Sequence, residues 1–367
     1  MSEASVREAS AWRRLWRRAA PPLVVSVFYF GVLVYPVLRI RMLLRPDVPG
    51  TAELLVVMVG PLLGRLAYEF FPGRFTRWLS ALSLTWLGIC FMAFLLVLSF
   101  EALHWLVPLT DTTWGLTLTG ILVAFTVFAF VNAQRLHTRE IAIPAPAAVA
   151  GTRIAQITDV HVGSRSGRFL TRVIRRVNAA KPDYVLITGD LIDFRDITAE
   201  EIEALGELAA PAYFIIGNHE RYVDLEAICD RLRSLRVRVL RNETLMLPGI
   251  QLVGIDDAEP KTQVGRVLPG LAAAPDAYRI VLYHRPDGAD DAARWGADLM
   301  LCGHTHNGQI VPFNYVVRRV FPRIHGLYQV GDMQLYVSPG TGTWGPILRL
   351  GSRSEISLFT LVATRSV

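Results

Sequence analysis

Five times between residues 152 and 306 a short apolar run rich in β-formers gives way within a residue or two to Asp, Asn or His. The runs are 152–158, 184–188, 212–216, 279–283 and 298–302. They are followed by Asp159 with His161, Gly189-Asp190, Gly217-Asn218-His219-Glu220, His284, and Gly303-His304-Thr305-His306. Runs apolar on both faces read as strands of a sheet covered on both sides. Between the first two, Leu170, Val173, Ile174 and Val177 recur at i, i+3, i+4 and i+7, which predicts a crossover helix and therefore two parallel strands. The expectation is an α/β domain whose five strand ends converge on one rim, where open α/β sheets bind ligands.

The residue types at those ends limit the chemistry. Carboxylate, amide and imidazole are mixed oxygen and nitrogen donors, suited to borderline or harder divalent ions such as Mn, Fe, Zn, Co or Ni. An all-thiolate set would point to a closed structural site, and Cys302 has nothing to pair with. Two such ions roughly 3.5–4 Å apart can create a nucleophile, neutralise phosphoryl oxygens and stabilise a leaving oxygen at neutral pH. The pattern is that of a two-metal phosphoesterase.

In this order the motifs resemble the calcineurin-like metallophosphoesterase superfamily, over about residues 140–367. Gly-His-Thr-His-Asn-Gly-Gln at 303–309, Gly326-Leu327-Tyr328, and the stretch from Tyr336-Val337-Ser338 through Gly342, Arg349 and Glu355-Ile356 are similar to a membrane-associated bacterial branch. Some members of that branch hydrolyse UDP-2,3-diacylglucosamine. The resemblance implies an αββα sandwich. It implies that Asp159, His161, Asp190 and His306 hold one divalent metal ion while Asp190, Asn218, His284 and His304 hold a second, with Asp190 as the bridge. It further implies a metal-bridging hydroxide as nucleophile and His219 as the group that protonates the leaving oxygen or stabilises the transition state. Glu220 could orient His219. Asn307 stands where the branch usually has glycine, and Pro339 where it commonly has arginine; both lie on loops expected to face substrate, and neither removes a ligand.

Singly the motifs say little, since Gly-Asp is a routine turn and Asp-x-His a common spacing; the weight lies in the ordered set. Arg165, Arg168, Arg195, Arg221 and Arg285 fall near the motifs and are candidate phosphate clamps, because guanidinium matches phosphate oxygens bidentately. His325 is a candidate substrate contact.

The first 139 residues are a different object. Residues 21–38, 78–100 and 112–134 contain no charged side chain, and the last two stretches are each 23 residues long, enough for a hydrocarbon core of about 30 Å. A fourth span is expected near 52–71, although only Leu54 to Gly64 is uncharged there before Arg65 and Glu69. With the N-terminus inside, Arg7, Arg13, Arg14, Arg17, Arg18, Arg74, Arg77, Arg135 and Arg139 are cytoplasmic and only Arg39, Arg41 and Arg45 are external, as the positive-inside rule prefers. Trp12 and Trp16 among those first arginines suggest an interfacial helix. Residues 1–139 are thus read as a transmembrane region of about four helices and 140–367 as the phosphoesterase domain, entered by a first strand at 140–143 and an extended linker from Pro144 to Gly151.

Charge narrows the substrate class. The net +6 arises wholly from residues 1–139, with 13 basic against 7 acidic side chains, since 140–367 balance at 25 each. A neutral catalytic half argues against a phosphate-tracking groove, so no nucleic-acid partner is expected. Three cysteines make no disulfide framework and agree with a reducing compartment. The expectation is an integral membrane protein of the bacterial inner membrane, catalytic domain in the cytoplasm, that hydrolyses a phosphoester or pyrophosphate bond, with a lipid-linked phosphorylated substrate. The alternatives are a phosphodiesterase acting on soluble nucleotides and a membrane sensor with a phosphoesterase-like regulatory domain.

Overall fold

A computed structural model describes residues 28–363; the expected Trp12/Trp16 helix and the start of the 21–38 span lie outside them. The chain divides into two compact units, one running up to Val127 without residues 72–78, the other formed by Pro72–Trp78 and Phe128–Val367.

Among the described residues the first unit is helical. A π-helical stretch, Tyr29–Val34, leads into α1 (Tyr35–Leu44), followed by α2 (Thr51–Phe70), α3 (Arg74–Leu103) and α4 (Asp111–Gln134). Two of these, α3 and α4, are long and apolar enough to cross a membrane. The predicted 52–71 span departs from a straight crossing, because α2 bends by 58° between Thr51–Gly60 and Leu62–Phe70. Pro61, which has no backbone N–H to give a helix, stands in sequence at the break. The helix α1 also runs on past the uncharged 21–38 stretch through Arg39 and Arg41; their charges are matched by Glu101 and Glu53, at 2.6 and 2.8 Å.

Among the described residues the second unit holds twelve strands in two six-stranded sheets. One has the order β1-β12-β2-β3-β4-β5, built from β1 (Leu136–Ala145), β2 (Arg153–Ile157), β3 (Tyr184–Thr188), β4 (Ala212–Ile215), β5 (Val237–Val239) and β12 (Ser354–Ala363). The other has the order β10-β11-β9-β8-β7-β6, built from β6 (Glu243–Leu247), β7 (Ile250–Gly254), β8 (Tyr278–Leu282), β9 (Leu299–Cys302), β10 (Gly326–Val330) and β11 (Met333–Val337). Ile154, Leu186, Ile215, Leu252, Ile280, Leu282, Leu301 and Phe359 share the core between the sheets. On the outer face of the second sheet Val253, Val281 and Met300 pack with Val264 of α8 (Gln263–Val267) and Ala289 and Ala292 of α9 (Ala289–Trp295). Alternate residues of one strand thus serve two cores, which explains runs that are apolar throughout.

The predicted crossover helix is α5 (Gly167–Ala179), with Leu170, Val173, Ile174 and Val177 buried and Ser166 capping its start; β2 and β3 pair in parallel. Further helices are α6 (Ala199–Ile202), α7 (Leu225–Ser234) and α10 (Phe313–Val320). The structure corrects two expectations. The five ligand-bearing runs do not share one sheet, because β2, β3 and β4 lie in the first and β8 and β9 in the second. The first strand spans ten residues, not four, and takes in Pro144 and Ala145, because it pairs along its whole length with β12.

Candidate metal centre

The strands expected to deliver ligands bring most of their candidate donors together into two adjoining groups. Asp159, His161 and His306 form one group of donors whose ligand atoms all lie within 4.8 Å of one another, and Asp190, His284 and His304 form a second. Asp159, His161, Asp190, His284 and His306 are buried. Within the first group the Nε2 atoms of His161 and His306 face each other at 3.0 Å, and Asp159 Oδ1 lies 3.3 Å from His306 Nε2. In the second group His284 Nε2 lies 3.0 Å from Asp190 Oδ2 and 3.2 Å from His304 Nδ1. The two groups adjoin, with His284 Nε2 4.0 Å from Asp159 Oδ1.

The local backbone is specialised to present these atoms. Asp159, His161, Asp190, His304 and His306 all have φ between 50° and 73°, the left-handed region that costs non-glycine residues energy and concentrates at functional sites. Glycines make the close approaches possible. A Cβ on Gly217 would stand 2.2 Å from Asp190 Oδ1, and one on Gly303 2.2 Å from Asp159 Oδ2. The His304 N–H donates to Asp159 and the His219 N–H to Asp190 Oδ1, at 3.0 and 2.9 Å, so backbone also aims both carboxylates.

Electrostatics leaves Asp159, Asp190, His304 and His306 in protonation states that can bind a cation, whereas His284 has to give up its Nε2 proton to do so. Burial would raise the Asp159 carboxyl, but His306 and His284 beside it hold it below the usual range, and at Asp190 burial is likewise overcome, chiefly by His284. Burial pushes His304 down to about 3 and His306 down to about 4, leaving their rings neutral at neutral pH. At His284 burial is overcome by Asp190, then Asp159, which draw positive charge onto the ring and push it up to about 10. The His284 Nδ1 faces the Thr188 carbonyl at 2.8 Å, so that nitrogen donates and Nε2 is the one turned to the site.

The donor set fits divalent cations on one further observation. The Oδ1 of Asn218 is buried and has no hydrogen-bond partner, a costly state for an amide oxygen that a cation would relieve. Asn218 belongs to neither carboxylate–histidine group, and its orphaned oxygen is what places it among the candidate ligands.

Asp193 was missed by the reading of the sequence. Its carboxylate accepts from His161 Nδ1, from Ser164 Oγ and, at 2.8 Å, from His219 Nδ1. One buried acid therefore fixes the tautomer of a candidate ligand and of the candidate catalytic histidine, turning Nε2 of each outward. Burial disfavours charge on His219, but its bond to Asp193 outweighs this and the ring is pushed up to about 9; its Nε2 lies 3.9 Å from Asp190 Oδ2. The signal available in the sequence was an acid three residues beyond Asp190.

Glu220 does not orient His219 directly. Its carboxylate gathers the backbone N–H groups of Asp190, Leu191, Ile192 and Gly217 and so ties the two ligand loops together. Several of the candidate arginines are engaged by the protein itself. Arg165 is buried against the Phe169 ring and donates to Ala133 O and Gln134 Oε1, and burial together with Arg349 holds it down to about 9. Arg221 and Arg285 both pair with Asp257, while Arg168 and Arg195 are exposed. His325 pairs with Arg139 and Glu355. Arg349, fully buried, donates to the carbonyls of Pro339, Gly340 and Gly342 and shapes the turn against which Asp159 and His306 rest.

Comparison with known proteins agrees with the geometry. The calcineurin-like phosphoesterase family profile matches residues 152–308. A metallophosphoesterase of Campylobacter jejuni is 34% identical over 255 residues, covering 66% of this chain and 68% of its own. A transmembrane protein with metallophosphoesterase domain from Danio rerio is 30% identical over 362 residues, covering 86% and 82%, and one from Bos taurus is 35% identical over 244 residues, covering 59% and 54%. Relatives therefore extend beyond bacteria, and the long alignment with the fish protein reaches into the N-terminal helices. With both the donor groups and this kinship in view, the chain belongs to the calcineurin-like metallophosphoesterases, metal-dependent hydrolases of phosphoester bonds.

Proposed function

We propose that this protein is a membrane-anchored, two-metal phosphohydrolase acting on a lipid-linked phosphoester or pyrophosphate. In this reading Asp159, His161, Asp190 and His306 hold one ion, and Asp190, Asn218, His284 and His304 hold the other. The observation that carries it is the pair of adjoining donor groups with the orphaned Asn218 oxygen beside them. Divalent ions bound there supply Lewis-acid charge to the phosphoryl oxygens and lower the pKa of attacking water. His219, held through Nδ1 by Asp193, turns Nε2 toward the site and gives the proton it carries there to the leaving oxygen. Glu220 keeps the Asp190 and Gly217 loops in register.

The lipid preference rests on the two apolar helices and on the sequence likeness to the UDP-2,3-diacylglucosamine hydrolase branch. The reading takes 140–367 as the catalytic part and 1–139 as the anchor, with 72–78 and 128–139 contributing to the catalytic unit. It places that unit on the cytoplasmic side, as the arginine distribution favours, in an inner membrane for a bacterial host.

The test is hydrolysis of UDP-2,3-diacylglucosamine and of an aryl phosphodiester by detergent-purified full-length protein with Mn, beside Asp190→Asn. Cleavage of both or either, lost in the variant, supports the two-metal site, and preference for the lipid supports the substrate class. Equal activity of Asp190→Asn would sink the site assignment, and cleavage of the aryl ester alone would sink the lipid assignment.

A further inference from the structure

The helix α10 leaves much of an apolar side exposed. Phe313, Val316, Val317 and Val320 fall on one side at i, i+3, i+4 and i+7, and no residue of the helix is buried. Phe313, Val316 and Val320 are exposed to 40, 55 and 52%. A run of this kind facing water costs solvation free energy unless another apolar phase meets it.

Its position says which phase that is. Just before α10, the Val311 N–H donates to Leu350 O and the Leu350 N–H to Gln309 O; the neighbouring Arg349 N–H donates to Ala129 O in α4. The Asn132 amide of α4 donates to the carbonyls of Arg349 and Ser352, at 2.9 and 2.8 Å. The start of α10 is therefore one backbone segment away from the last turns of a helix long and apolar enough to cross a membrane. Ala129 lies five residues from the end of that helix, or about 7.5 Å along its axis. At that level Phe128, Phe130 and Val131 are still turned outward. A hydrocarbon edge surrounding those residues also borders α10. Trp344, exposed to 54% and held through its backbone by the Gln309 side chain, adds the aromatic type that favours the membrane–water boundary.

Charge agrees. Residues 306–331 contain Arg318, Arg319 and Arg323 and no acid. Arg323 pairs with Asp290, whereas Arg318 and Arg319 are exposed and can reach anionic headgroups. The helix is also fastened to the metal centre. Its Asn314 backbone packs so closely on Gly308 that a Cβ there would lie 2.3 Å away, and the Phe321 ring at its end meets the His304 ring edge-on at 5.1 Å.

We propose that α10, with Trp344, docks into the headgroup layer of an anionic bilayer and holds the metal centre against the lipid surface. The docking does not depend on hydrolysis, so it can stand or fall apart from the lipid-substrate reading.

The test uses full-length protein reconstituted in vesicles of phosphatidylcholine with or without phosphatidylglycerol, some lipid carrying a quencher near the headgroup end of its acyl chain. Val316→Cys and Val320→Cys are labelled with an environment-sensitive fluorophore, with Met246→Cys, on β6, as reference; Cys90, Cys229 and Cys302 are all buried. The expected result is blue-shifted emission at 316 and 320 with quenching several-fold stronger than at 246. Quenching should weaken on combining Arg318→Glu with Arg319→Glu in the phosphatidylglycerol vesicles. Labels at 316 and 320 as water-exposed as that at 246 would overturn the proposal, including the case in which a protein partner covers this face. Deep quenching without cleavage of a lipid ester would uphold docking and count against a lipid substrate.

Discussion

Asp193 shows how a single carboxylate can govern a site it does not enter. Because it binds Nδ1 of both His161 and His219, Asp193→Asn should lower hydrolysis about 10–100-fold, the usual scale for loss of an orienting partner. In the metal-free protein the same change should bring the His219 titration, read by imidazole NMR, down from about 9 toward its ordinary value. The sign for stability follows from a raised folded-state value. His219 contributes fully below the unfolded pKa of about 6.5 and loses its contribution as pH rises through about 9. Gly217→Ala should abolish most activity, because the new Cβ has no room beside Asp190, and calorimetry should show a loss of about 1–3 kcal/mol from overpacking. At this scale the candidate ligands were legible because each ends an apolar run. Asp193 and Arg349 were not, because their partners lie on other loops: Asp193 serves His161 and His219, and Arg349 the turn under His306.

Among the elements, β1 and the end of α4 behave as parts of the catalytic fold. The strand β1 pairs with β12 from Leu136 onward, Ser354 Oγ donates to Ala133 O, and Asn132 and Arg165 bind across the same junction. A chain starting at residue 140 loses four strand residues and these bonds, so its thermal midpoint should fall several degrees below that of a chain starting at 128. Equal midpoints would show the junction to be dispensable. Arg349→Met should cost about 3–5 kcal/mol in denaturant unfolding, since it strips buried carbonyls of Pro339, Gly340 and Gly342 of their donor. The edge strand was under-read because its partner β12 is more than two hundred residues away, and no local periodicity reports a pairing of that kind.

For the whole molecule, the segment entering α3 and the segment leaving α4 both belong to the hydrolase unit: Arg77 pairs with Asp196 and Glu201, and Phe128–Gln134 joins the same unit. A hairpin in which both α3 and α4 cross a membrane predicts that the turn between them and the hydrolase unit are labelled from different faces. Cysteines introduced at Leu106 and Tyr222, both exposed, should react with an impermeant maleimide from opposite faces of sealed vesicles. Reaction from one face would rule out a crossing hairpin. What the amino-acid sequence by itself determined was local: strand runs apolar on both faces, ligand residues at their ends, and uncharged stretches of membrane length. These are set by side-chain chemistry and spacing along one segment. Tertiary structure alone decided that the candidate ligands come from two sheets, that Asp193 joins two histidines, and that the end of α4 is built into the hydrolase. Each of those depends on groups far apart in the chain meeting in a buried place, where hydrogen bonding and packing, not local propensity, select the arrangement.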